Sequence, residues 1–79
     1  MSSNTLIKTD ELQIGDRVYS VKYFENRTAR GTLRYSSELQ LGPADLIILD
    51  GNSLTALESK VARLVPATIY SRMLAARAA

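Results

Sequence analysis

The sequence predicts a mainly β domain with an α-helix at its C-terminus, and three observations carry that reading. Short runs rich in β-branched and aromatic residues recur through the middle of the chain, bounded by Gly, Asp, Asn and Pro. The last stretch, "ATIYSRMLAARAA", has instead the composition of a good helix former. The chain is also short: 79 residues make one domain, which buries only about three-fifths of the surface its unfolded form exposes. It contains no cysteine and no histidine. Disulfide staples, thiolate nucleophiles, zinc fingers and imidazole bases are thereby excluded, and the fold must rest on packing, with self-association as an aid.

Residues 1–11 read as a flexible leader, polar and without pattern at first. Order is expected from "ELQIGD", where Leu12 and Ile14 alternate with polar neighbours and Gly15-Asp16 supplies a turn. "RVYSVKYF" is a strand with Arg17, Tyr19, Val21 and Tyr23 on one face and Val18, Ser20, Lys22 and Phe24 on the other. Apolar groups on both faces suggest a curved strand with a bulge. "ENRTAR" reads as a loop ending at Gly31, "GTLRYSS" as a short strand with Leu33 and Tyr35 inward, and "ELQLGPA" as a second loop anchored by Gly42-Pro43. "DLIILDG" is the most hydrophobic run, β-branched at its centre and bounded by turn residues: a buried strand.

The stretch "ILDGNSLTALESKVARLVP", residues 48–66, admits two readings. As a helix it places Leu54, Leu57, Val61 and Leu64 at helical spacing, with Thr55-Ala56-Leu57-Glu58 as a capping box. As strands it turns at Asp50-Gly51-Asn52-Ser53, directly after a buried strand. A helix over 54–65 would cover one face of a sheet, so topology alone leaves both open.

Taken together, "IGDRVYSV", a polar loop, "GTL" and "LIILDGNSLTALESKVARLVPA" resemble the SH3-like small barrels, such as SH3 and Tudor domains, over residues 12–66. The resemblance implies a five-stranded barrel in which Asp-Gly makes a hairpin, Glu58–Val61 a single helical turn and Ala62–Val65 the last strand. The peptide-binding signature is missing, since the chain has no tryptophan, no acidic first loop and no aromatic-proline platform. The expected organisation is a leader (1–11), an SH3-like barrel (12–66) and an appended C-terminal helix (67–79). The alternative is an α+β fold in which a β-hairpin sheet is covered by two helices. Pro66 suits the first turn of the appended helix, whose stripe Ile69, Tyr70, Met73 and Leu74 either closes the barrel or meets its copy across a dimer.

Function is read as non-catalytic binding. Lys8, Lys22 and Lys60 have nothing nearby that argues for a lowered pKa, Asp45, Asp50 and Glu58 fall where carboxylates cap or solvate, and the four glycines are too dispersed for a phosphate loop. No cofactor and no metal is expected. Net charge is only +2, but it is unevenly placed: residues 17–34 are basic and residues 35–59 hold only acids. The cations Arg17, Lys22, Arg27, Arg30 and Arg34, interleaved with Tyr19 and Tyr23, point to a nucleic-acid surface in which guanidinium groups meet phosphates and an exposed ring stacks on a base. Phe24 and Tyr35 are assigned to the core instead. The alternative for the charges is mutual balance across paired strands. The alternative function is a protein-interaction or self-associating module using Ile69, Tyr70, Met73 and Leu74. Lack of a basic-apolar leader and of any membrane-length apolar run suggests a cytoplasmic protein without membrane contact.

Overall fold

The computed structural model describes residues 4–78. Four antiparallel strands, β1 (Asn4–Ile14), β2 (Arg17–Arg27), β3 (Leu33–Gly42) and β4 (Asp45–Gly51), form an open meander in the order β1-β2-β3-β4, followed by one helix, α1 (Leu54–Ala78). Two-residue turns join β1 to β2 and β3 to β4. At the first, Gly15 takes φ +65° while Asp16 stays at negative φ, the sign pattern of a type II′ hairpin turn, which demands glycine at its first central position. The β2–β3 loop folds on itself: Gly31, at φ +84°, donates its N–H to the Thr28 carbonyl, and Thr28 donates to the Thr32 carbonyl.

The alternation expected for 17–24 holds and decides which side chains enter the core. Val21 and Tyr23 lie on the inner face, and their cross-strand partners Leu39 and Ser37 are buried with them. Leu39 in turn faces Ile47 of β4. The bulges fall outside β2, at Ile7 between Leu6 and Lys8 and at Leu41 between Gln40 and Gly42. Residues 4–11, within the segment read as a leader, belong to β1, while residues 1–3 lie outside the described residues. "ELQLG", read as a loop, completes β3, because Leu39 and Leu41 alternate with polar neighbours just as a half-buried strand requires.

The closed five-stranded barrel is not formed. Asp50 and Gly51 end β4 rather than opening a hairpin, and Ser53 caps a helix: its hydroxyl accepts the Ala56 N–H (3.1 Å) and its carbonyl the Leu57 N–H (3.0 Å). The segments expected as a helical turn (58–61) and a last strand (62–65) are therefore consecutive turns of α1, leaving β1 and β4 as the two edges of the sheet. The alternative with two helices is also replaced by one. Pro66 sits at the middle of α1 rather than at its start. Its missing N–H leaves the Ala62 carbonyl without a donor, and Ala62 is exposed, so water can satisfy it.

Burial explains why the helix wins. Leu57, Val61, Val65 and Ile69 repeat every four residues and are all buried against Val21, Tyr23, Leu39 and Ile47. Each such side chain is worth roughly 1.5–3 kcal/mol when removed from water. The contact is close: a β-carbon on Gly51 would stand 3.3 Å from that of Leu57, so glycine lets the first turn of α1 settle onto the end of β4. Ion pairs add direction more than strength. Lys8 bridges Asp10 (3.0 Å) and Glu58 (2.6 Å), tying β1 to α1, and Arg72 pairs with Asp45 at the start of β4. All are partly solvated, and such pairs contribute about 0–1 kcal/mol.

Candidate protein-interaction site

The two ends of the sheet differ. β3 pairs with β2 only from Val21 onward, so the residues of β2 from Arg17 to Ser20 pair with β1 alone. Beyond Val21 and Leu39 the β1–β2 and β3–β4 hairpins are no longer paired with each other, and each ends in its own two-residue turn. On its inner face the β1–β2 hairpin tip carries Ile14 and Tyr19, half-buried. The second half of α1 runs toward the same end, and every residue from Tyr70 to Arg77 is exposed. Between these two arms lies a groove of about 520 Å³, walled by Ile14 and Tyr19 on one side and Ile69, Tyr70 and Met73 on the other, with Asp16 and Arg17 at the rim.

Met73 continues the row of Leu57, Val61, Val65 and Ile69 by one more step of four, but is exposed where they are buried. Tyr70, Met73 and Leu74 expose 64, 54 and 48 % of their surface. Of the four residues read as an interface stripe, Ile69 is instead core, while the other three stand on the open face of the tail. A second apolar group lies on the outer face of the sheet, where Val18, Leu46 and Ile48 are exposed. It is interrupted by Ser20, Lys22, Glu38 and Gln40, and is the more polar of the two surfaces.

The residues read as a nucleic-acid surface are dispersed. Arg17 and Arg27 sit at opposite ends of β2, ten residues or roughly 33 Å apart along an extended strand. Lys22 stands directly opposite Glu38 on the outer face, and Arg34 pairs with Asp50 at 3.4 Å. Arg27 donates to the Gly31 carbonyl of its own loop at 3.0 Å, and Arg30 is exposed at the loop tip. Of the two rings, Tyr19 lines the groove on the inner face with Arg17, and Tyr23 is 3 % exposed, beneath the Lys8 ammonium 5.0 Å from its ring centre. The assignment of Tyr23 to solvent and Phe24 to the core is thus reversed. Phe24 is half-buried on the outer face, because β2 turns its odd-numbered positions toward α1. Two of the five cations face acids across strands, Lys22 opposite Glu38 and Arg34 paired with Asp50.

Lys8 donates hydrogen bonds to Glu58 and Asp10, which raise its pKa above its usual value and hold it as an ammonium. Lys60 donates to the Asp50 carbonyl at 2.8 Å. Asp45, Asp50 and Glu58, expected to cap or solvate, each hold a cation from another element. Among the described residues no group of three or more acidic side chains could hold a metal ion, and no helix is long and apolar enough to cross a membrane. No family model matches the chain, and no curated protein or solved structure shows significant similarity to it.

Proposed function

We propose that this chain is a small non-catalytic module that binds a protein partner through the groove between its hairpin tip and its helix tail. The observation that carries the reading is the pairing of an apolar groove with an unsupported apolar helix surface at the same end of the molecule. Aromatic and methionine side chains are enriched in protein interfaces, and Tyr19, Tyr70 and Met73 supply both here. A nucleic-acid role has less support, because the cations are spread over both ends of the sheet and several are engaged by carboxylates or carbonyls. A cytoplasmic setting belongs to the same proposal, on the strength of a cysteine-free chain.

Sedimentation velocity with and without short single-stranded DNA and RNA, at low and at moderate salt, tests the reading. Phosphate contacts would weaken steeply with salt, whereas an apolar protein contact hardly responds. The expected result is no shift of the protein boundary by either nucleic acid at moderate salt. Tight co-sedimentation that disappears as salt is raised would transfer the function to nucleic acid.

A further inference from the structure

The tail supplies one wall of the groove, and we infer that the partner accepted there is a second copy of this chain, docked about a two-fold axis with its own helix tail in the groove. The inference rests on the interaction-module reading and names its partner. The first support is surface. The chain exposes 5724 Å², whereas a compact monomer of 8.7 kDa is expected to expose about 4,700 Å². The excess, roughly 1,000 Å², matches the ~800 Å² that each partner contributes to a stable interface. Its radius of gyration, 13.9 Å, exceeds the ~11.6 Å of a compact chain of this length.

The second support is the charge and aromatic character of the two arms. Two tails crossing antiparallel about a point between residues 73 and 74 set Met73 against the second copy's Leu74, and Tyr70 against its Arg77. Tyr70 lines the groove together with Asp16 at the rim. Arg77 of the second copy then meets the Asp16 carboxylate and the Tyr70 ring, with Arg17 beside them, and two-fold symmetry makes the contact twice. Among the described residues neither Asp16 nor Arg77 takes part in an ion pair within one chain. Sheet-edge pairing is the less favoured route to a dimer. Lys60 and Arg72 reach from α1 to Asp50 and Asp45 at the two ends of β4, and Lys8 follows the bulge in β1, devices that blunt edge strands.

Sedimentation equilibrium of the wild type, Met73→Asp, Asp16→Arg, Arg77→Asp and the double variant Asp16→Arg/Arg77→Asp tests the proposal. Circular dichroism checks that each variant is folded; all three positions are exposed. The wild type is expected to dimerise, and Met73→Asp to weaken dimerisation at least about tenfold. Each single charge reversal should weaken it, and the double variant should recover most of the loss. A wild type that stays monomeric up to high micromolar concentration overturns the proposal, as do charge reversals whose effects add instead of cancelling. A monomer that also ignores nucleic acid removes the second copy but leaves the interaction module standing; a monomer held by nucleic acid removes both.

Discussion

Tyr23 shows how much depends on the parity of a single position. Tyr23 and Phe24 are adjacent rings in one strand, and composition gives either an equal claim to the core. What separates them is the pairing of Tyr23 with the buried Ser37 and its burial with the α1 row around Val61, information that no local pattern contains. Burial, followed by the charge of Asp10, raises the phenol of Tyr23 above its ordinary 10.0. The Lys8 ammonium above it is likewise raised above 10.5, by its hydrogen bonds to Glu58 and Asp10. Both shifts act on stability with one sign. Each group holds its proton more tightly when folded than when unfolded, so the stabilisation is complete below pH 10 and is lost as pH rises through the folded values. Alkaline titration of phenolate absorbance should therefore contain a component that ionises above pH 10 and is abolished by Tyr23→Phe. If that variant leaves the late part of the titration curve unchanged, the burial assigned to Tyr23 is wrong.

Among the elements, β4 and the alternation of β2 were legible because their signals are local: a short apolar run between turn residues, and a period of two. β3 was only half legible, although Glu38-Leu39-Gln40-Leu41 alternates, since Gly42-Pro43 drew the whole segment into a loop. In β1 the inward positions Lys8 and Asp10 are charged, so the apolar pattern begins only at Leu12. They are tolerated there because β1 is an edge and Glu58 reaches down from α1. The helix over residues 54–65 was legible as one of two readings, and the Asp-Gly pair favoured the wrong one. Its buried row is Leu57, Val61, Val65 and Ile69 rather than Leu54, Leu57, Val61 and Leu64, and it passes straight through Pro66, a residue that usually marks a boundary. The switch from strand to helix rests on Ser53, two residues ahead of the capping box suggested by Thr55 and Glu58. Ser53→Ala should cost about 1 kcal/mol, seen as a lower urea midpoint at unchanged slope. An unchanged midpoint would mean that the helix does not begin there.

At the scale of the whole molecule, the open sheet and its single helix leave one end unfinished. The nucleic-acid surface was inferred from cations that are neighbours in sequence, but an eleven-residue strand carries such neighbours to opposite ends, and its partner strands bring carboxylates beside them. The stripe on the tail was visible in the sequence. The groove facing it was not, since it depends on the β1–β2 hairpin parting from β3 beyond Val21, a matter of pairing register.

Amide hydrogen exchange measured residue by residue, at low and at high protein concentration, tests this account most directly. It predicts continuous helical protection from Leu57 to Ile69 at every concentration, with protection of residues 70–77 and of the hairpin tip around Ile14–Tyr19 appearing together as concentration rises. A helix interrupted at 62–65, or a tail and hairpin tip whose exchange is indifferent to concentration, would contradict it.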